Sequence, residues 1–160
     1  MRAKVIVASQ RAASGVYADR SGPLLVKGLQ DMGFSTPEAV VVGDGPPVAT
    51  ALRQAIAEEV DVVLTSGGTG LTPTDRTPEA TAPLLDRTVP GLAEAIRAAG
   101  ATNTDMAWLS RGLAGIAGRT LVVNLAGSTG AAKDGLTTLA PLLRHAVEQI
   151  NGGDHERKSP

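Results

Sequence analysis

Val60-Asp-Val-Val-Leu-Thr-Ser-Gly-Gly-Thr-Gly70 decides the fold, because it runs an apolar stretch directly into a glycine-rich loop. Residues 60–64 are apolar on both alternating faces except at Asp61, the pattern of a strand in the middle of a sheet covered on both sides. The loop that follows, Thr65, Ser66, Gly67, Gly68, Thr69 and Gly70, leaves the carboxyl end of that strand. Open α/β sheets bind their ligands at such ends.

Outward from this stretch, short β-branched runs alternate with longer helical ones, as in a parallel sheet packed between helices. Towards the amino terminus, 5–8 is an apolar run. A helix is predicted over 21–32, where Leu24, Leu25, Gly28, Leu29 and Met32 fall on one face, and Gly33 stops it. Residues 39–42 form a second strand candidate ended by Gly43-Asp44-Gly45, and Pro47 opens a helix that reaches Glu58 or Glu59. Towards the carboxyl terminus, Thr77 is expected as the N-cap of a short helix with Pro78 at its first position. Another helix is predicted over 91–99 with Gly100 as its stop. Residues 112–117 and 120–125 read as an antiparallel pair around Gly118-Arg119. One long helix is expected over 130–150, with Leu136, Leu139, Leu142, Leu143, Ala146, Val147 and Ile150 as its buried stripe. The expectation is a single-domain, three-layer α/β/α fold over residues 1–152, with a mostly parallel sheet and one antiparallel strand. The polar tail 153–160 is expected to be disordered.

A chain of 160 residues can bury a core of its own. The net charge is −1 and basic residues are scattered, which argues against nucleic acid or an anionic membrane as partner. The absence of cysteine removes disulfides, thiolate catalysis and cysteine-based zinc sites, and agrees with a reducing compartment. The apolar run near the amino terminus is too short for a signal peptide core or a membrane span, so a cytoplasmic protein is expected. Tyr17, Phe34 and Trp108 are the only aromatic residues. The core must therefore be aliphatic, with Trp108 expected to pack rather than stack on a ligand.

Three features carry chemistry. In 65–70, glycines leave backbone N–H groups unshielded and hydroxyls add donors, which suits an anion, although a plain strand-to-helix turn would look the same. The loop is neither a Walker loop nor a dinucleotide fingerprint, which disfavours a Rossmann dehydrogenase. Ala126-Gly127-Ser128-Thr129-Gly130 precedes the last helix, where free N–H groups and the helix dipole attract an anion; Ser128 and Thr129 serve equally well as N-caps. Asp44 and Asp75 are loop carboxylates, hard oxygen donors suited to Mg²⁺ bound jointly with substrate phosphates, and an Asp beside Gly is also a common turn residue. All three loops leave strand ends and should converge. His145 and His155 have no spacing that would let them share a metal.

Thr65-Ser-Gly-Gly-Thr-Gly70, Asp75-Arg-Thr-Pro-Glu-Ala80 and Asn124-Leu-Ala-Gly-Ser-Thr-Gly-Ala131, with Ser9-Gln-Arg-Ala-Ala-Ser-Gly-Val-Tyr-Ala-Asp19, resemble the landmark motifs of the molybdopterin-binding domain family of MogA- and MoaB-like proteins. The resemblance covers about residues 4–150. It implies a molybdopterin adenylyltransferase in molybdenum cofactor biosynthesis, in which MgATP and molybdopterin give adenylylated molybdopterin and pyrophosphate. It places Asp44 and Asp75 at the family's two functional aspartates, holding Mg²⁺. It puts Ser9, Ser14, Gly67, Gly68, Thr69, Ser128 and Thr129 where the family contacts pterin or phosphate; Thr65, Ser66, Gly70 and Gly127 complete those loops. Trimers, sometimes paired into hexamers, and a downstream molybdate-insertion enzyme are implied as partners. That larger enzyme uses the same domain type, and 160 residues leave no room for the rest of it. Two departures stand out: Ala126 replaces the family's proline, and Gln10 stands where MogA-like sequences are acidic. A non-catalytic molybdopterin carrier has the same motifs and stays open as the alternative.

Overall fold

In the computed structural model, which describes residues 1–153, the central strand is β3 (Val62–Ser66). Its neighbours are β1 (Ala3–Ala8) and β6 (Thr120–Leu125), both parallel to it, with Leu64 opposite Val5 and Val123. Among the described residues the sheet has the order β2-β1-β3-β6-β5-β4, with β2 (Val40–Val42), β4 (Arg87–Thr88) and β5 (Ala114–Ala117) completing it. β5 runs antiparallel to both β6 and β4, so it is the one reversed strand.

β3 begins two residues later than the apolar run suggests. Asp61 lies outside it, where its carboxylate accepts the backbone N–H of Arg2 at 2.6 Å. Thr65 and Ser66, expected in the loop, are the last two strand residues and pair with Ile6 and Val7. Both are fully buried. Their hydroxyls are satisfied inside the sheet: Asn124 Nδ2 donates to Thr65 Oγ1 at 3.0 Å and Ser66 Oγ donates to Ser21 Oγ at 2.9 Å. A hydrogen-bonded hydroxyl removes most of the cost of burying it, and threonine suits an extended backbone.

The alternation of the strands splits the core in two. Val5, Val7, Val62, Leu64, Leu121 and Val123 face one layer, against helices α2 (Ser21–Asp31), α5 (Pro90–Ala101), α6 (Thr129–Leu139) and α7 (Leu143–Ile150). Ile6, Val63 and Val122 face the other, against α3 (Pro46–Ala57) and the region of α4 (Thr77–Thr81). This is the expected three-layer arrangement. The chain moves from β1 to β2 through α2, then crosses back to β3 through α3 on the opposite face. The carboxyl ends of β1 and β3 therefore part in opposite directions and leave a crevice between them.

Several local expectations are corrected. The helix of 130–150 is two helices, because Pro141 has no N–H for the ladder and its ring clashes with the preceding turn. The apolar stripe survives the break at Leu139, Leu143 and Val147, but Leu142 is exposed. Gly100 does not stop α5; it lies inside the helix, where a Cβ would sit 2.9 Å from that of Ala107 in the 3-10 turn Asp105–Leu109. Thr77 is not the N-cap of α4, since it is helical itself and Arg76 precedes it. Trp108 is 58% exposed rather than packed. A short helix α1 (Gln10–Ala13) and the two-residue β4 carry no readable period and were not expected. The tail expectation, from residue 154 onwards, and His155 fall outside the described residues. None of the described helices is long and apolar enough to cross a membrane.

Candidate functional site

A cavity of about 1000 Å³ opens at the carboxyl ends of β1, β3 and β6. The three loops expected to converge do so here. Gly67 is the pivot: its N–H donates to Leu125 O at 3.0 Å, and a Cβ on Gly127 would lie 3.1 Å from its Cα. The glycine loop and the loop before α6 are thus in backbone contact. Gly67 and Gly68 have φ of 98° and 65°, left-handed values that glycine adopts without penalty.

The two carboxylates flank the glycine loop. Asp44 Oδ1 lies 3.4 Å from where a Cβ on Gly68 would be, and Asp75 Oδ2 lies 2.8 Å from the corresponding position on Gly70. Each is held by a backbone N–H. Gln10 N donates to Asp44 Oδ2 at 3.1 Å, while Thr72 donates to Asp75 Oδ2 from its N at 3.1 Å and from its Oγ1 at 2.7 Å. Both aspartates are half-buried and line the cavity. The side chain of Gln10 lies against Gly43.

The remaining expected residues divide. Ser9 lines the cavity and caps α1, accepting Ala12 N at 3.2 Å and sharing a hydrogen bond with Tyr17 Oη at 3.1 Å. Ser66, Gly67, Gly68, Thr69 and Gly70 line it, as do Gly127, Ser128 and Thr129. Ser128 is the N-cap of α6, accepting Ala131 N at 3.0 Å, which leaves the N–H groups of Thr129 and Gly130 without a described protein partner at the mouth of the helix. Two residues lie elsewhere. Thr65 is buried in β3 behind the cavity wall, and Ser14 closes α1 with its hydroxyl on Arg11 O at 3.2 Å. Neither lines the cavity.

Arg111 is the structural residue that sequence reasoning missed. Its Nε donates to Gly70 O at 2.8 Å, one guanidinium nitrogen donates to Asp75 O at 2.7 Å, and the other pairs with Glu79. Its backbone N–H donates to Thr69 O at 2.8 Å. One side chain therefore ties both ends of the segment between Thr69 and Asp75 to α4. A lone arginine forty residues downstream gives no sequence signal for this; only its place before β5 puts it there. The Arg111 guanidinium holds the Glu79 carboxyl below the usual carboxylate range. Because the folded pKa is depressed, this pairing contributes stability above the unfolded value of about 4.3 and loses it as pH falls through the folded pKa. Glu79→Gln is therefore expected to flatten the acid limb of the stability curve, by a small amount because the pair is exposed. Urea unfolding at pH 3 to 6 measures it, and an unchanged acid limb would count against the brace.

Asn124 supports the floor from below. Its Nδ2 donates to Thr65 Oγ1 at 3.0 Å and to Thr81 Oγ1 at 3.1 Å, and its Oδ1 accepts Leu113 N at 3.1 Å. β3, α4 and the residue that precedes β5 are thereby joined at one buried amide. Asn124→Leu is expected to cost about 2–4 kcal/mol, because two buried hydroxyls and one half-buried N–H lose their partner together. Denaturant midpoints would show it, and a loss under about 1 kcal/mol would mean that water replaces the amide.

Comparison with known proteins agrees with this geometry. The family model described as "Probable molybdopterin binding domain" matches residues 4–145. A molybdenum cofactor biosynthesis bifunctional protein of Synechococcus elongatus is 43% identical over 154 residues, covering 96% of this chain and 48% of that protein. A molybdopterin adenylyltransferase of Pyrococcus furiosus is 37% identical over 153 residues, covering 90% of each. The structure of the molybdopterin biosynthesis Mog protein from Mycobacterium ulcerans superposes with a TM-score of 0.90 at 52% identity, over 93% of this chain and 98% of that one. The chain spans half or less of the length of several curated relatives it matches. With the family model matched across nearly the whole described fold and solved MogA- and MoaB-like structures superposing on it, the chain belongs to the MogA/MoaB-like molybdopterin-binding domain family.

Proposed function

We propose that this chain acts in molybdenum cofactor biosynthesis as a molybdopterin adenylyltransferase, moving AMP from MgATP to the terminal phosphate of molybdopterin. The observation that carries the reading is the pair of carboxylates, Asp44 and Asp75, set against Gly68 and Gly70 on the cavity wall. A site that only held an anion would gain nothing from two negative charges facing it. The name of the Pyrococcus furiosus relative, matched along nine-tenths of both chains, supports the same activity.

The donor set fits Mg²⁺. Among the described residues no three His, Cys, Asp or Glu side chains cluster as a metal cage. Two loop carboxylates with room for phosphate oxygens and water match the way Mg²⁺ is bound, and do not match a closed zinc site. Asp44 and Asp75 would hold the ion, whose contribution is to neutralise charge on the triphosphate.

The reaction is an in-line displacement. A phosphate oxygen of molybdopterin forms a bond to the α-phosphorus of ATP, the bond from that phosphorus to the bridging oxygen breaks, and pyrophosphate leaves with the electron pair. No proton has to be removed from a phosphate already ionised at neutral pH. The protein's work is therefore to position two anions against their mutual repulsion. The N–H groups of Gly68, Thr69 and Gly70 make no hydrogen bond to protein among the described residues, and with those of Thr129 and Gly130 they can receive phosphate oxygens. Arg111, bonded to Gly70 O, and Asn124, bonded to Thr65 behind the loop, keep that surface fixed.

The test is product formation. Purified protein with MgATP and molybdopterin is expected to yield adenylylated molybdopterin and pyrophosphate, separated by chromatography. Binding of molybdopterin with no adenylylated product would replace this reading by that of a carrier. A trimeric assembly and hand-over to a molybdate-insertion enzyme go with the same proposal.

A further inference from the structure

Thr77 carries the one buried side-chain polar atom that has no hydrogen bond among the described residues. An interior hydroxyl without a partner has given up water for nothing, and valine would fill the same space without that cost. The local geometry explains why the hydroxyl is not used within the helix. Thr77 lies inside α4 rather than capping it, and its N–H donates to Gly68 O at 3.0 Å. Held against the glycine loop by that bond, its Oγ1 lies 2.3 Å from where a Cβ on Gly68 would be. Asp44 Oδ1 stands 3.4 Å from the same point, so the two oxygens face each other across a glycine hydrogen. Rotation of the two side chains can close that gap.

Asp44 has room for such a partner. Its Oδ2 accepts Gln10 N, and its Oδ1 has no hydrogen-bond partner among the described residues. Asp75, the other carboxylate on the loop, accepts both an N–H and a hydroxyl from Thr72. We propose that Thr77 is a positioning residue for Asp44, the counterpart of Thr72 for Asp75: in the loaded site its Oγ1 donates to Asp44 Oδ1 and holds that carboxylate towards Mg²⁺. The proposal rests on the reading of Asp44 as a holder of Mg²⁺. A carboxylate oxygen has two acceptor sites, so one can take the hydroxyl and leave the other for the ion. Carboxylates that hold a metal are themselves hydrogen-bonded, and loss of such an outer partner costs about 10–100-fold in metal affinity or activity.

Gly68 belongs to the same device. Its φ of 65° favours glycine, and any side chain there would stand between Thr77 and Asp44. Thr77 does not line the cavity, so it acts on the reaction through Asp44 rather than by touching phosphate. The link also explains a buried hydroxyl that the stability of the free fold does not call for.

Mn²⁺, which takes the same oxygen donors as Mg²⁺, would be titrated alone into the full chain and the paramagnetic resonance of the free ion followed. Wild type is expected to bind it, Thr77→Ser to bind within about threefold of wild type, and Thr77→Val about tenfold more weakly. In the transfer assay, Thr77→Val should lower kcat about tenfold and leave KM for molybdopterin within about twofold, because that phosphate rests on backbone N–H groups. Its urea midpoint without metal should equal or exceed that of wild type, since the substitution removes an unpaired hydroxyl. Wild-type Mn²⁺ affinity in Thr77→Val would overturn the proposal. So would a lowered midpoint, which would mean that the hydroxyl is already satisfied within the fold, and so would a wild type that binds no Mn²⁺. Weakened Mn²⁺ binding in Thr77→Val, with no adenylylated product from wild type, sinks the transfer reading alone; product formation with Mn²⁺ binding unweakened sinks the role of Thr77 alone.

Discussion

Gly67→Ala is expected to destabilise the fold by about 3–5 kcal/mol, near the top of the range for single substitutions, and to abolish anion binding at the loop. Two effects add. At φ 98° an L-residue is strained, a cost of about 1–2 kcal/mol. The new methyl would also stand 2.3 Å from the carbonyl oxygen of Ala8. That oxygen cannot retreat, because Ala8 is the last residue of β1 and is locked in register with Val42. Gly33→Ala separates the two effects, since its φ is 89° and nothing lies within 4 Å of a Cβ there. It should show the conformational cost alone, about 1–2 kcal/mol. Urea midpoints at unchanged m give both numbers. Equal losses at the two sites would mean that the approach of β1 to the glycine loop is not rigid.

Asp75→Asn and Asp44→Asn are each expected to lower kcat/KM for adenylyl transfer by at least about 10²–10³-fold. Binding of the pterin phosphate should change only a few-fold. The asparagine variants are chosen over alanine because these carboxylates also shape the backbone. Asp75 accepts Thr72 N and Oγ1, and Asp44 accepts Gln10 N at the start of α1. An amide oxygen retains one such bond while removing the charge. Unchanged melting temperatures with lost turnover would assign the effect to charge at the reaction centre. Full activity in both variants would sink the assignment of the carboxylates to catalysis.

The site was legible in the sequence to the extent that it rests on backbone chemistry. Glycines at 67, 68 and 127, hydroxyls at 69, 128 and 129, and carboxylates at 44 and 75 stand out as candidates in the sequence, where Ser128, Thr129 and Asp44 read equally as caps or turn residues. The cavity holds all of them. Thr65 and Ser14 show where this fails. Threonine reads as a donor near a glycine loop, yet strand pairing takes Thr65 into the sheet, where its partner is Asn124. Arg111 shows the opposite failure, since a surface-looking arginine braces the loop through its donors to Gly70 and Asp75.

For the fold, the sequence by itself determined the layers. The doubly apolar strand, the alternation of strand and helix, and the turn at Gly118-Arg119 each follow from local periodicity, which is a property of neighbouring residues. The opening stretch already required helices on both faces. The tertiary structure alone decided where strands stop, how far the helix broken at Pro141 bends, and which distant side chains meet. Those outcomes depend on partners sixty residues apart, as in the bond from Thr120 Oγ1 to Val60 O at 2.7 Å. The loop beginning after Ser66 rather than after Leu64 is such an outcome. The ladder to β1 and β6 offers Thr65 and Ser66 backbone and hydroxyl partners together, and a buried hydrogen-bonded threonine is more stable in that strand than in a loop.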